Sequence, residues 1–326
     1  FKEGPTLFEE EPYKPFGVEP EVNDFLFSNC PELESSFNRL QLTEYSSYLW
    51  HWRNKSDLKW IGSTSHRQLD KFKHKFKSIS EIEFKFIEDA FHKFQVLFFQ
   101  EQVEISPQNQ IKLGKYFGEL HIHPAAPKMN NYPEIFEIHT HKDSKISNGA
   151  EDFHSDVSCD TEPPLGTMLQ LHILPEYGGD TMFANMYMAY EALSDKMKFF
   201  LNELYSYHES EHFYKGRYEG ENEVNKQYPS AIHPIVRTHP VTKKKALYVN
   251  KFFTTRIQGL NIEESKLILN YLFQHCEKTD FQIRYRWNKN DMAFWDNRCT
   301  LHKAIWDYHP MERKGRRVTI KGTIPY

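Results

Sequence analysis

Cysteine is scarce in this chain. The four that occur, Cys30, Cys159, Cys276 and Cys299, are scattered and form no Cys-x-x-Cys pair. That argues against a disulfide framework and reads as reduced thiols in a cytoplasmic protein. Long apolar runs are missing too. Nothing approaches 18 consecutive apolar residues, so no segment reads as a membrane-spanning helix. Charge of one sign is not in excess: the net charge is −4, which gives no general case for nucleic acid or a membrane surface as partner. There is no internal repeat and no low-complexity segment.

Aromatic residues, by contrast, make up 15% of the sequence, which suits a packed β core. The chain of 326 residues is long enough for a sizeable core. Residues 1–24 hold seven acids, two lysines and prolines at 5, 12, 15 and 20. We read residues 1–65 as an acidic, irregular N-terminal extension packed on the body, and residues 66–326 as the main domain.

The main domain mixes both periodicities. Residues 70–78 alternate Lys with Phe and His, as a strand would. Ser80-Glu81-Ile82-Glu83 is a capping box, and Ile82, Phe86, Ala90 and Phe94 then recur every four residues along a helix. Ser106-Pro107 opens a second helix, and Asn261 a third with Glu263 and Glu264 in its first turn. Strands are predicted over 96–99, 165–174, 181–183, 281–287, 292–296 and 317–324, with a hairpin over 236–249. Residues 142–152 form a polar loop, a candidate lid. Residues 208–230 are polar and Tyr-rich and read as an insertion on the substrate side.

Candidate chemistry centres on Phe153-His154-Ser155-Asp156. In an extended segment, residues two apart point to the same side. His154 and Asp156 then converge as two-thirds of a 2-His-1-carboxylate set, which leaves metal positions open for co-substrates. His302, just beyond the apolar run Met292-Ala293-Phe294-Trp295, offers the third ligand. Arg313 and Arg317 are four apart, so on one strand they share a face. Two inward guanidinium groups need anionic partners, and Arg grips a carboxylate by a bidentate fork. A dicarboxylate such as 2-oxoglutarate would give its keto-acid end to the metal and its far carboxylate to one Arg. The competing reading is a zinc hydrolase built on His121, His123, His139 and His141. A non-catalytic jelly-roll binding protein is the other.

These residues, with Phe117-Gly-Glu-Leu-His-Ile-His-Pro124, Tyr177-Gly-Gly-Asp-Thr181, His233-Pro-Ile-Val-Arg-Thr-His-Pro240, Ala246-Leu-Tyr-Val-Asn250 and Trp295-Asp-Asn-Arg298, stand in the order of a known family. The chain resembles the taurine dioxygenase-like (TauD/TfdA) family of iron(II)- and 2-oxoglutarate-dependent dioxygenases over roughly residues 80–326. The resemblance implies an α+β protein with a double-stranded β-helix (jelly-roll, cupin-like) core and surrounding helices. It makes His154, Asp156 and His302 the Fe(2+) ligands, and Thr181 and Arg313 the holders of 2-oxoglutarate. His123, Val157, Phe253 and Arg317 match positions around an anionic substrate. It further implies O2 as co-substrate, with succinate and CO2 released, and a small sulfonate such as taurine, or another organic acid, as substrate. A homo-oligomer is compatible with the sequence. Two positions depart from the family pattern: Ala126 stands for a tyrosine, and Ala150 for an asparagine that Asn148 replaces.

Overall fold

The computed structural model describes residues 81–124, 129–147, 152–217 and 227–326. The extension expected over 1–65, the strand over 70–78, and positions Ala126, Asn148 and Ala150 lie outside the described residues. The strands in chain order are β1 (Val96–Phe99), β2 (Leu120–His121), β3 (Phe136–Thr140), β4 (Gly166–Ile173), β5 (Thr181–Asn185), β6 (Tyr205–Glu209) and β7 (Ser230–Pro234). They continue as β8 (Val236–Thr238), β9 (Lys245–Leu247), β10 (Thr254–Ile257), β11 (Gln282–Tyr285), β12 (Met292–Asp296), β13 (Thr300–Ala304) and β14 (Arg313–Ile320).

One antiparallel sheet runs β1-β12-β4-β14-β2, with β3 also on β14. A second runs β11-β5-β13. Strands β10-β6-β7 form a third, and β8-β9 a ribbon. Strand periodicity sorts the side chains into layers. Val96, Phe98, Leu169, Leu171, Ala293 and Trp295 of the first sheet meet Phe183 of the second in one buried cluster. Their neighbours Leu97, Phe99, Met168, Met292, Phe294, Val318 and Ile320 point the other way. They are covered by Ile87 and Phe91 of the helix Glu81–Phe94 and by Leu113 of the helix Pro107–Lys115. On the far side, Ala184 and Leu301 of the second sheet pack with Leu269, Leu272 and Cys276 of the helix Ile262–Cys276. Two facing sheets with helices outside are the expected jelly-roll, α+β by content. No helix among the described residues is long and apolar enough to cross a membrane.

Local signals explain the boundaries. Ser106, Asn185 and Ser194 cap helices by accepting from backbone amides in the first turn. Asn261 and Glu264 complete a reciprocal capping box. The helix Glu81–Phe94 corrects one expectation. Its buried face is Ile87, Ala90 and Phe91, and Ile82 is 56% exposed. The i+4 stripe drifts round the helix, and the face that wins is the one on which Phe91 stacks against Phe294, 3.9 Å apart and 10° from parallel. His302 lies beyond β12 as expected, on the next strand, β13, and β14 starts at Arg313 rather than at 317.

Candidate active site

His154 and His302 meet through an isolated antiparallel bridge. The amide of His154 donates to the carbonyl of His302 at 3.0 Å, and the reverse bond is 2.8 Å. The pairing brings the imidazoles to 4.2 Å between centroids. Two residues on, Asp156 Oδ1 lies 3.9 Å from Nε2 of each histidine. The three donor atoms sit within 4.8 Å of one another, and all three residues are buried. Histidine Nδ1 of residue 154 faces the carbonyl of Asp152 at 3.1 Å. As donor there, it leaves the Nε2 lone pair for a metal. Burial, then the neighbouring His154, push His302 down to about 3, so its imidazole is neutral. Burial raises the Asp156 carboxyl, but Arg317, His302 and His154 outweigh it and hold the group well below the usual carboxylate range. Two imidazoles and one carboxylate are the donor set that suits iron(II) with open positions.

The carboxylate is fixed from behind. Thr167 Oγ1 donates to Asp156 Oδ2 at 2.7 Å, and Asn297 Nδ2 donates to the same hydroxyl at 2.9 Å. Asn297 Oδ1 in turn accepts from the Trp295 indole at 3.0 Å. On the open side, Arg317 Nη1 donates to Asp156 Oδ1 at 2.7 Å, and its guanidinium lies 4.6 Å above the Phe136 ring. Val157, next in the chain, is buried with φ of +45°. That conformation is costly for a β-branched residue, and such strain collects at functional sites.

Strand β14 carries both arginines inward. Arg317 pairs with Leu169 of the inner layer. The chain bulges between Lys314 and Gly315, which re-aims Arg313. Its Nε donates to the carbonyl of Gly179 at 3.1 Å. Gly178 and Gly179 both have φ of +73°, a conformation glycine adopts without a Cβ clash, and this turn aims that carbonyl. Arg313 is 2% exposed, and its Nη2 has no hydrogen-bond acceptor. Thr181 Oγ1 accepts from Trp287 Nε1 at 3.0 Å, so its own hydroxyl hydrogen is left to donate. A buried guanidinium N–H without an acceptor beside a free hydroxyl donor fits a carboxylate.

One cavity of about 700 Å³, counted out to its mouth, is lined by His123, His154, Asp156, Val157, Thr181, Phe253, His302, Arg313 and Arg317. Every site residue expected from the sequence is on its wall. Phe213, Tyr214, Arg217 and Phe252 also line it and were not singled out beforehand. Nothing local marks Phe252, whereas the stretch 208–230, read as an insertion on the substrate side, contains Phe213, Tyr214 and Arg217. Within it Tyr214 reaches the His123 ring at 3.4 Å. None of the described residues of the loop 142–152 lines the cavity. The histidines 121, 123, 139 and 141 do not form a ligand cluster among the described residues. His121 turns to Asp160 and His139 to Glu312 instead. A second ligand-like group, His239, Asp296 and Cys299, is a closed network. Arg298 holds both oxygens of Asp296 at 2.8 and 2.7 Å, and burial pushes the Cys299 thiol far up.

Comparison with known proteins agrees with this geometry. Residues 65–319 match the family described as "Taurine catabolism dioxygenase TauD, TfdA family". A putative alpha-ketoglutarate-dependent sulfonate dioxygenase of Schizosaccharomyces pombe is 34% identical over 71% of this chain. The chain spans 61% of that relative's length. An alkylsulfatase of Acinetobacter baylyi is 34% identical over 74% of this chain and 77% of its own. The solved structure of AAD-2 in complex with Mn(II) and N-oxalylglycine superposes with a TM-score of 0.67 at 26% identity, covering 76% of this chain and 91% of that one. The chain belongs to the TauD/TfdA family of taurine catabolism dioxygenases.

Proposed function

We propose that this chain is an iron(II)- and 2-oxoglutarate-dependent dioxygenase that oxidises a small organic sulfonate and releases succinate and CO2. The observation that carries the reading is the joint presence, in one cavity, of the His154–Asp156–His302 donor set and of the buried Arg313 Nη2 without an acceptor. When bound, iron(II) with 2-oxoglutarate supplies the oxidising chemistry that side chains lack. His154, Asp156 and His302 would hold the metal. Thr181 and Arg313 would hold the distal carboxylate of 2-oxoglutarate (the alpha-ketoglutarate of the relatives' names). Trp295, Leu169 and Ile138 add apolar side chains to the cavity wall. His123, Phe253, Arg317 and the backbone at Val157 face the remaining space and would orient an anionic head. All of these lie within residues 66–326, the proposed oxygenase domain.

A sulfonate is favoured over a carboxylate because the relatives include proteins named for sulfonate and sulfate ester substrates. Cys159, Cys276 and Cys299 are unpaired and buried, which supports a cytoplasmic setting. The test is oxygen-dependent succinate formation with iron(II) and a panel of sulfonates, sulfate esters and carboxylates. Stimulation by sulfonates is expected. Stimulation by carboxylates alone would refute the substrate class, and no succinate with any member would refute the activity.

A further inference from the structure

Val157 lines the cavity with a φ of +45°. A β-branched residue keeps such a conformation only where its surroundings fix it. Here the fixing comes from buried polar side chains. Ser158, next in the chain, places its hydroxyl 3.0 Å from His208 Nδ1 and accepts from Asn250 Nδ2 at 2.9 Å. Two residues on, the carbonyl of Asp160 accepts from His233 Nε2 at 2.9 Å, and the amide of Asp160 donates to the Val157 carbonyl at 3.1 Å. His208 lies on β6 and His233 on β7, so the third sheet grips the turn from behind.

Asn250 does more than hold this turn. Its Oδ1 accepts from the amide of Phe253 at 3.1 Å. Its own amide donates to Thr254 Oγ1 at 3.0 Å, and the amide of Thr254 donates back to the Asn250 carbonyl at 3.0 Å. One planar carboxamide therefore ties two walls of the cavity together: the turn of Val157 and the turn of Phe252 and Phe253. Phe252 stacks in its turn on the His154 ring at 4.3 Å and 15°. Asn250 is 2% exposed and is not among the residues that line the cavity. Resting on the function proposed above, we infer that Asn250 is the positioning residue of the substrate half of the cavity: through Ser158 and Phe253 it sets the spacing of the Val157 backbone and the Phe253 ring, and with it the affinity for the sulfonate. The other half is held without it. Asp156 rests on Thr167 and Arg317, and Arg313 on the Gly179 carbonyl. A side chain fixed in this way supports binding groups that it does not itself touch.

The experiment uses the full chain with iron(II) under anaerobic conditions. Calorimetry measures the affinity for 2-oxoglutarate, and then for taurine and hexanesulfonate. Asn250→Ala removes both bonds. A displaced Val157 amide loses its bond to the anionic head, which is worth roughly tenfold in affinity. Both sulfonates should therefore bind about tenfold more weakly, while 2-oxoglutarate stays within about twofold. Ser158→Ala cuts the tie on one side only and should act in the same direction, so it carries the test if Asn250→Ala does not fold. Ser265→Ala is the control: it also deletes a buried bond, from the Ile257 amide at 2.7 Å, but outside the cavity. It should lower the melting temperature and leave sulfonate binding unchanged. Sulfonate affinity that moves by less than about twofold in both cavity-side variants overturns the inference. So does a parallel loss of 2-oxoglutarate affinity, or an equal loss in Ser265→Ala, since either would mean general loosening. These results leave the proposed function in place. An unsubstituted protein that binds 2-oxoglutarate but neither sulfonate overturns the proposed substrate class and this inference with it. One that fails to bind 2-oxoglutarate overturns the proposed function itself.

Discussion

Replacing Arg313 isolates the co-substrate end of the cavity from the metal. The side chain is 2% exposed, its Nε donates to the Gly179 carbonyl, and its Nη2 has no acceptor of its own. Removing one partner of a buried, hydrogen-bonded charge pair costs on the order of 2–5 kcal/mol. Arg313→Ala should therefore weaken 2-oxoglutarate binding by roughly 30-fold to a few thousand-fold. Arg313→Lys keeps the charge but loses the planar fork, so its affinity should fall between the two. The Gly179 carbonyl also loses a donor, worth about 1 kcal/mol, which a chain of this size shows as a melting shift of about 1–2 °C. Anaerobic calorimetry with 2-oxoglutarate reads the affinity, and a thermal melt reads the second effect. A folded Arg313→Ala protein whose affinity changes by less than about twofold would remove Arg313 from the co-substrate site.

Other consequences are separable. Thr167→Val keeps the shape but deletes the 2.7 Å bond to Asp156 Oδ2, so iron(II) affinity should fall about 10- to 100-fold. A metal titration with unchanged affinity would show that the carboxylate needs no support from behind. Gly315→Ala would put a methyl group 2.4 Å from the Gln170 carbonyl oxygen and 2.6 Å from Leu171. We expect about 1–3 kcal/mol of destabilisation in urea unfolding, and a neutral result would mean that β14 and β4 separate readily. Burial holds His208 well below its ordinary value of 6.5 and His233 at about 4. The folded state therefore binds fewer protons than the unfolded one. Their contribution to stability is complete above pH 6.5 and is lost as pH falls through the region down to about 4. Melting temperature should drop steadily over that interval, and a flat profile would contradict the shifts.

Much of the site was legible because its spacing is local. His154 and Asp156 stand two apart, and Arg313 and Arg317 four apart on one strand, so period two alone puts each pair on a common face. The inner and outer layers of β12 follow from the alternation of Met292, Ala293, Phe294 and Trp295. What the sequence hid depends on contacts between distant segments. The bridge that joins His154 to His302 closes across 148 residues, and no local pattern announces it. The buried face of the helix Glu81–Phe94 was chosen by Phe294, not by its own i+4 stripe. The Phe213–Arg217 wall was hidden for the same reason: its residues acquire meaning only once Phe252 stacks between them and His154.

Metal and 2-oxoglutarate must meet in this cavity for the proposed oxidation to occur there. The deciding measurement is the anaerobic visible spectrum of the protein with iron(II), before and after 2-oxoglutarate is added. A weak charge-transfer band that appears with 2-oxoglutarate, and is lost in Asp156→Ala, is the predicted result. Iron bound by the unsubstituted protein with no band on adding 2-oxoglutarate would show that the co-substrate does not chelate the metal here.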